Sequence, residues 1–485
     1  MKARTAGKRR EVLKRRNKAP RTRVSGLLLA ALIVAGFGVR LLASRGDLWL
    51  DEILSVEIAR SIPHPADLVR DVYARVDNNH LLNTFWLQIA RDSASPILQR
   101  IHSVVAGTLA IPLAWVFARR WGQSAPGFAG VLFAGSFVAI NYGSEARGYG
   151  MLIAFGLAAI VAIDRALRRP SAATTLVFWT ACVLGTLSHA LFLEFFVAVG
   201  VWTLARLFRD STRGWWTAAA FMLQYYLLPV LAVVGLYVTF FRHLRILGAN
   251  PSVPAEVIAQ TAAFVFGLPR DPFAAYASLA VAAAIIALGM GTLWRHDDAW
   301  TLAGMLCLGA PLLMMVLAPP EILPRYFIVP ATGLLLLTAM LLGRLYDRGG
   351  PNRAAAVVVL LLVLGLNSRD TARLLKDGRG QYRRALTDIA SNTPGDVLRI
   401  GGDHTFREKT VIDYHRSAVP SKRVEYVSGD GPEAGVPDWV VTHSFDVEQD
   451  PAAPAVVDQT GRQYKLFGVY PSGPLSGWHW YVYRH

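Results

Sequence analysis

Hydrophobic residues fall in long runs separated by short polar connections. Several runs approach the roughly 20 apolar residues that cross about 30 Å of hydrocarbon as an α-helix. The runs lie near 24–42, 97–118, 124–141, 148–164, 172–189, 190–205, 215–241, 272–293, 299–318, 324–343 and 353–366. The pattern predicts a polytopic α-helical membrane protein with about eleven spans.

The polar connections on the two sides of the predicted membrane differ in charge. Alternate connections are nearly all short and rich in arginine, at 119–120, 165–169, 206–213, 294–296 and 344–353. Basic residues concentrate in cytoplasmic loops, so these connections and the N-terminus are expected inside. An odd number of spans then places the C-terminal residues outside. The expected divisions are a basic cytoplasmic tail (1–23), a transmembrane domain (24–366) and an outer-side soluble domain (367–485).

Two segments outside the spans carry their own periodicity. In the first outer loop, 45–96, residues 55–61 and 80–91 read as amphipathic helices that lie in the membrane interface. After residue 367, helical periodicity covers 382–390 and 409–416. Strand patterns cover 396–400, 423–427, 439–442, 464–470 and 479–483. These elements predict a small C-terminal α/β domain.

Composition agrees with a membrane protein and locates the charge. Of the 485 residues 53% are hydrophobic and 17% are charged, against about 25% charged in soluble domains. The net charge of +16 lies mostly in residues 1–23, which contain eleven basic residues and one acid. Such a tail fixes topology and attracts anionic lipid. RNA binding is the rival interpretation of the tail, and no nucleic-acid partner is expected.

The first candidate for chemistry is Leu48-Trp49-Leu50-Asp51-Glu52, just after the first apolar run. Two adjacent carboxylates at a membrane face are suited to proton transfer or to binding a metal ion. The alternatives are ordinary solvated loop acids or an N-cap for the following helix.

Three further polar groups lie at predicted outer ends. Asp77, Asn79 and His80 precede an amphipathic run and could bind sugar hydroxyls, although Asp and Asn also form turns. Arginine is not favoured on the outer side, so Arg147 and Arg325 are candidates for binding phosphate. Their neighbours complete the set: Glu145, Tyr149 and Tyr326.

His189 lies at the junction of two predicted spans, with Glu194 close behind it. Ionisable residues at membrane depth are candidates for function, but a single histidine is more often a hydrogen-bonded structural residue. The cysteines, Cys182 and Cys307, fall in apolar runs and give no case for a disulfide or metal cluster. The sequence contains no P-loop and no H-E-x-x-H motif, which disfavours nucleotide-driven transport and zinc proteolysis.

Five motifs in order resemble the polyprenyl-phosphate-sugar-dependent glycosyltransferases of the C-type superfold. This group includes protein O-mannosyltransferases, the lipid A aminoarabinose transferase and the lipopolysaccharide-core galacturonic acid transferases. The Asp51-Glu52 stretch is similar to their outer-loop D-E motif, and 142–149 is similar to their Y-S-Q-E-A-R-G-Y stretch. The segment 100–107, Ser188-His189 and 324–326 follow their R-hydrophobic-S-x-x-x-G, T-H and P-R-Y patterns. Many members have an H-P-P-L-Y-Y motif, of which this chain keeps only the histidine, His80. The resemblance therefore does not identify the sugar or the acceptor.

The resemblance implies sugar transfer from a polyprenyl-phosphate-linked donor to an acceptor hydroxyl of a lipid, glycan or protein. The reaction would invert the anomeric centre at the outer face of the cytoplasmic membrane. Asp51 would be the general base, and Arg147 and Arg325 would stabilise the leaving phosphate. No cofactor is required by this reading, although Glu52 and His189 are candidates for holding a divalent metal ion. The rivals are a transporter or flippase of lipid-linked saccharides and an oligosaccharide ligase or polymerase of the same superfold.

Overall fold

The fold is seen in a computed structural model that describes residues 23–69, 78–91, 93–209, 214–244, 253–317, 322–428, 435–445, 450–458 and 461–485. The described part is mostly helical. Its membrane-domain α-helices are Arg23–Ala43, Leu50–Ser61, Leu81–Ile89, Pro96–Ala118, Ala125–Gly135, Phe137–Tyr142, Tyr149–Arg168, Ala172–Ser188, Phe192–Arg209, Trp215–Thr239, Pro254–Phe266, Pro272–His296, Trp300–Gly304, Ala310–Leu317, Ile328–Asp347 and Gly350–Asp377.

A polytopic helical protein is confirmed, but the count of eleven spans is not. Within the described ranges, seven helices are long and apolar enough to cross a membrane. Four further apolar helices are shorter: Ala125–Gly135, Ala172–Ser188, Pro254–Phe266 and Trp300–Val316. The run predicted over 124–141 is two helices, because Ser136 adopts an extended conformation (ψ 129°) between them. The helix Pro254–Phe266 lies between the runs 215–241 and 272–293, where the sequence predicted no span.

Two helices form the centre of the bundle. The most apolar windows of Tyr149–Arg168 and Pro324–Asp347 are 83% buried, whereas those of the first and last spans are 17% and 22% buried. A helix hydrophobic all round is an inner element or faces lipid. The peripheral helices therefore present apolar surface to the membrane. The two central helices have polar groups at the two ends of the bundle.

Polar groups gather at opposite ends of this bundle. At one end, Arg120 lies 2.6 Å from Asp164, 2.5 Å from Asp297 and 2.6 Å from Asp298. Arg120 belongs to one connection expected on the cytoplasmic side, and the three aspartates lie next to two others, 165–169 and 294–296. At 1.5 Å per residue, the fifteen steps from Asp164 to Tyr149 along one helix place the other end roughly 22 Å away. Tyr149 and its neighbours therefore belong to a separate polar region.

The C-terminal part contains a six-stranded mixed sheet, as predicted in outline. The strands are β1 (Val397–Gly402), β2 (Arg423–Tyr426), β3 (Trp439–Ser444), β4 (Ala455–Val457), β5 (Gln463–Tyr470) and β6 (His479–Arg484), in the order β2-β1-β3-β6-β5-β4. β1 pairs in parallel with β2 and with β3, and the other pairs are antiparallel. The helices Tyr382–Ser391 and Thr405–His415 complete the domain. β4 was not predicted, and the boundary expected at 366/367 falls inside the helix Gly350–Asp377.

Candidate active site

Asp51 lies in the first turn of the helix Leu50–Ser61 and faces two arginines from distant segments. Its Oδ2 is 2.7 Å from Arg325 Nη1 and 3.5 Å from Arg147 Nη1. Arg147 also donates to the Asp51 carbonyl oxygen at 3.1 Å. Burial alone lowers the pKa of Arg147, but the Asp51 carboxylate raises that pKa above its ordinary value. Two cations therefore converge on one carboxylate.

Glu52 has a different environment, although it is the adjacent residue. Its oxygens accept from Arg100 Nε at 2.7 Å and Nη2 at 2.5 Å, and Oε1 also accepts from the Ala146 backbone N–H at 2.6 Å. Both side chains are fully buried. Burial raises the pKa of Glu52, but Arg100, Arg379 and the Ala146 N–H together outweigh burial, and the pKa is lowered. Glu52 ties the helix Leu50–Ser61 to the helix Pro96–Ala118, so binding a metal ion would require this pair to open.

Glu145 lies behind the arginines and contacts the C-terminal domain. Its Oε1 accepts from Trp49 Nε1 at 2.8 Å, and Oε2 is 3.5 Å from Ser476 Oγ. Burial raises the pKa of Glu145 more than Arg379 and Arg147 lower it. Glu145 therefore positions Trp49, two residues before Asp51.

Two buried histidines lie beside the arginines. The rings of His80 and His189 are 5.4 Å apart, and the ring of Tyr149 is 4.7 Å from His189. Burial, reinforced by Arg147, holds the pKa of both histidines well below the usual value. His189 Nδ1 accepts from the Leu191 backbone N–H at 3.1 Å, so its ring proton lies on Nε2. The histidines are neutral and add no positive charge.

Several buried polar atoms in this region have no hydrogen-bond partner among the described residues. They are both ring nitrogens of His80, His189 Nε2, the hydroxyls of Tyr142 and Tyr149, and the Nε atoms of Arg147 and Arg325. Buried polar groups in proteins are nearly always hydrogen-bonded. A concentration of unsatisfied donors and acceptors around Asp51 marks a place where a polar ligand or water binds. We call these residues, with Asp51, the polar chamber.

The remaining predicted residues are placed as follows. Asn79 is half-buried next to His80, and its carbonyl accepts from the Ala190 N–H at 3.1 Å. Tyr326 packs beneath the Arg325 guanidinium, 5.8 Å from ring centre to cation. Asp77 lies outside the described residues. Glu52 and His189 do not belong to any group of three potential metal ligands found in the described ranges.

Sequence reasoning missed Arg379, which joins the C-terminal domain to this region. It is fully buried and donates to the carbonyls of Ala43 and Asn141 at 3.0 and 2.8 Å. Its local sequence, an arginine between two glycines, contains no indication of these partners. Arg100 carried a signal, because it opens one of the five motifs, but its pairing with Glu52 could not be read from spacing.

Comparison with known proteins supports the fold. ArnT from Cupriavidus metallidurans in the apo state matches with a TM-score of 0.54 and 15% identity, over 95% of this chain and 98% of that one. ArnT bound to undecaprenyl phosphate matches with a TM-score of 0.49 and 14% identity, over 96% and 98%. The oligosaccharyltransferase of Archaeoglobus fulgidus, tethered to an acceptor peptide, matches with a TM-score of 0.49 and 12% identity, over 82% and 63%. No protein-family model matches the chain, and no curated protein matches it in sequence.

The match to apo ArnT spans both the helical bundle and the C-terminal sheet. The resemblance read from five short motifs is therefore borne out at the level of fold. The chain is a multi-pass membrane protein, and its fold is similar to that of apo ArnT.

Proposed function

We propose that the chain is an integral-membrane glycosyltransferase that uses a polyprenyl-phosphate-linked sugar. The proposal rests on one observation above all: Arg325 and Arg147 converge on Asp51 inside a chamber of unsatisfied polar groups. The similarity of fold to apo ArnT, an aminoarabinose transferase, agrees with the reaction class proposed here. The reaction is placed at the outer face of the cytoplasmic membrane, with the N-terminus inside and the C-terminal domain outside.

The charge balance favours an anionic ligand. Arg147 and Arg325 share one carboxylate, while His80 and His189 are neutral. Glu52 is already matched by Arg100. The chamber therefore holds one more positive charge than Asp51 can neutralise, and arginine is well suited to phosphate. A lipid phosphate bound by the two arginines would replace Asp51 as their partner.

This exchange prepares Asp51 for catalysis. Once the arginines hold phosphate, the Asp51 carboxylate accepts the proton of the acceptor hydroxyl. The hydroxyl oxygen bonds to the anomeric carbon as the bond from that carbon to the phosphate oxygen breaks. The electron pair leaves with the polyprenyl phosphate, and the arginines stabilise its charge. Attack from the opposite side inverts the anomeric centre, and Asp51 then loses its proton to water.

The test is transfer by the purified protein in liposomes that contain a panel of undecaprenyl-phosphate sugars and lipid acceptors. Wild type should release undecaprenyl phosphate and form a glycosylated product in equal amounts. Asp51→Asn should lower the rate by about 10²–10⁴-fold, the usual contribution of a general base. Glu57→Asn, an exposed acid in the same helix, is the control. Transfer by Asp51→Asn near the wild-type rate would remove Asp51 as the base, and movement of intact donor without product would indicate a flippase.

A further inference from the structure

The C-terminal sheet brings together three potential metal ligands that the mechanism does not use. Asp403 directly follows β1, His443 lies near the end of β3, and Glu408 lies in the helix Thr405–His415. We call them the carboxylate–histidine triad. In the described part of the chain they form the only group of three or more such side chains close enough to hold one ion.

The topology places the triad where sheets of this kind bind ligands. β1 lies between β2 and β3 and is parallel to both. The chain leaves β1 toward β2 and returns to β3 on the other side. In open α/β sheets, the crevice at the carboxyl ends of two such strands is the usual ligand site. Asp403 and His443 lie at this edge.

The separations suit a small cation. His443 Nδ1 is 3.0 Å from Asp403 Oδ1 and 2.8 Å from Glu408 Oε1. All three ligand atoms lie within 4.8 Å of one another. Bonds of about 2.0–2.2 Å to a tetrahedral Zn²⁺ place its ligand atoms roughly 3.3 Å apart. A modest expansion of the triad would therefore accommodate the ion.

Glu408 supplies a second, independent indication. Its side chain is fully buried, and Oε2 accepts from the His404 backbone N–H at 2.8 Å. Oε1 faces the triad, 2.8 Å from His443 Nδ1, and has no other partner among the described residues. Asp403 and Glu408 thus share one imidazole and carry more negative charge than that ring can neutralise, which is costly for a buried carboxylate and which a cation would offset. The Asp403 side chain is 40% exposed, so an ion can enter from solvent.

Arg407 determines which nitrogen of the His443 ring carries the proton before an ion binds. Its Nη1 is 2.9 Å from His443 Nε2. Arginine can only donate, so Nε2 accepts and the ring proton is on Nδ1, facing Asp403. When Nδ1 binds a cation, Nδ1 releases its proton to water, Nε2 takes up a proton from water, and Arg407 turns away, so the ring stays neutral.

We propose that Asp403, Glu408 and His443 bind one divalent transition-metal ion. One imidazole nitrogen and two carboxylate oxygens match Zn²⁺ most closely, with the fourth position open to water. The site lies beside the face that contacts the polar chamber. The His443 ring is 4.8 Å from Trp478, and Trp478 meets Trp49 edge-on at 6.5 Å. Binding would fix His443 and stabilise this contact without taking part in sugar transfer.

The experiment measures metal in the purified full-length protein after treatment with a chelator and reloading with Zn²⁺. Wild type should retain one Zn²⁺ per chain by mass spectrometry. His443→Ala and Glu408→Gln should lower the Zn²⁺ affinity at least tenfold in competition with a chromophoric chelator. Asp413→Asn is the matched control, because this exposed carboxylate lies in the same helix as Glu408 and pairs with Lys409. Mn²⁺ and Ca²⁺ titrations in parallel should show weaker binding.

Equal Zn²⁺ content in wild type and His443→Ala would overturn the proposal, as would the absence of binding to wild type. Circular dichroism of the metal-free variants checks folding. If Glu408→Gln does not fold, the surface variant Asp403→Asn provides the second test. The readout is metal content and not transfer, so this proposal and the proposed glycosyltransferase activity can fail separately.

Discussion

Asp51 and Glu52 are neighbours in sequence with opposite surroundings. Asp51 is shared between two arginines at the edge of a chamber, and its side chain is 16% exposed. Glu52 is fully buried in a two-point pair with Arg100. Because successive residues of a helix point about 100° apart, one carboxylate reaches the chamber while the other reaches the adjacent helix. The pair therefore combines a reactive position with a structural one.

Removing the charge of Glu52 should destabilise the protein. Glu52→Gln leaves Arg100 buried without its counter-ion, and breaking a buried pair in this way costs about 3–5 kcal/mol. We expect a large fall in melting temperature in detergent. The control is Glu57→Gln, which removes one partner of the exposed pair with Arg60, a type of pair worth about 0–1 kcal/mol. Equal melting temperatures for the two variants would contradict a structural role for Glu52.

Acidification should destabilise the protein partly through His189. Its pKa in the folded protein lies well below the ordinary 6.5, so the unfolded state binds a proton that the folded state does not. The stability that His189 contributes is therefore complete above pH 6.5 and is lost as the pH falls below it. One such histidine accounts for a loss on the order of 1 kcal/mol of unfolding free energy between pH 7.5 and 5.5.

The measurement is the pH dependence of the melting temperature of wild type and His189→Gln. The wild-type curve should fall more steeply below pH 6.5, because glutamine does not titrate. Parallel curves would show that His189 is protonated equally in both states.

The residues of the chamber were found from sequence because they lie at the ends of apolar runs. Arginine at a predicted outer end is unusual, and this alone selected Arg147 and Arg325. The contacts of Arg100, Arg379 and Trp49 could not be predicted, because they join residues 48 to 336 positions apart. The triad in the C-terminal domain was missed because its members show no ligand spacing.

At the scale of elements, the ends of helices are positioned by close backbone approach. Gly148 is the N-cap of the helix Tyr149–Arg168, and it contacts the segments that carry the two histidines. A Cβ at this position would lie 1.8 Å from the Ser188 carbonyl oxygen and 2.9 Å from His80 Cβ. Only glycine allows these segments to approach so closely.

Gly148→Ala should therefore lower both stability and transfer. The added methyl group forces Ser188 and His80 apart, and overpacking of this kind costs about 1–3 kcal/mol. Gly235→Ala is the matched control, because a Cβ there meets no atom within 4 Å and alanine favours helix. In thermal unfolding and in the transfer assay, Gly148→Ala should have a lower melting temperature and a lower rate than Gly235→Ala. Similar behaviour of both would mean that the close approach at Gly148 is not needed.

Helix boundaries were predictable where the apolar pattern changed at a charged or proline residue. They were not predictable where a helix breaks inside an apolar run. Ser136 interrupts one expected span by taking an extended conformation, although serine in such a run is compatible with helix. The helix Pro254–Phe266 was missed because it lies in a proline-containing segment between two apolar runs, whereas Pro254 occupies its first turn, which tolerates proline.

At the scale of the whole molecule, the bundle separates two kinds of charge cluster. At one end, Arg120 forms ion pairs with three aspartates and so holds connections together. The opposite end contains unsatisfied donors and acceptors around Asp51. Arg379 and the Ser476 segment join the C-terminal domain to this second end. The groups that can bind a polar ligand therefore lie at the end of the bundle that contains Asp51.

The central claim is that Arg147 and Arg325 bind a lipid phosphate that displaces Asp51. The most direct measurement is the affinity of undecaprenyl phosphate for the protein in lipid nanodiscs. Charge-assisted hydrogen bonds contribute about 1.5–3 kcal/mol each. The double variant Arg147→Gln/Arg325→Gln should therefore bind at least tenfold more weakly than wild type. Arg384→Gln, whose side chain is 71% exposed, is the control.

The affinity of Asp51→Asn for undecaprenyl phosphate tests directly whether phosphate displaces Asp51 from the arginines. Because the carboxylate competes with phosphate for the arginines, its removal should leave the affinity unchanged or increase it, while transfer is lost. Wild-type affinity in the double arginine variant, or a marked loss of affinity in Asp51→Asn, would contradict the account.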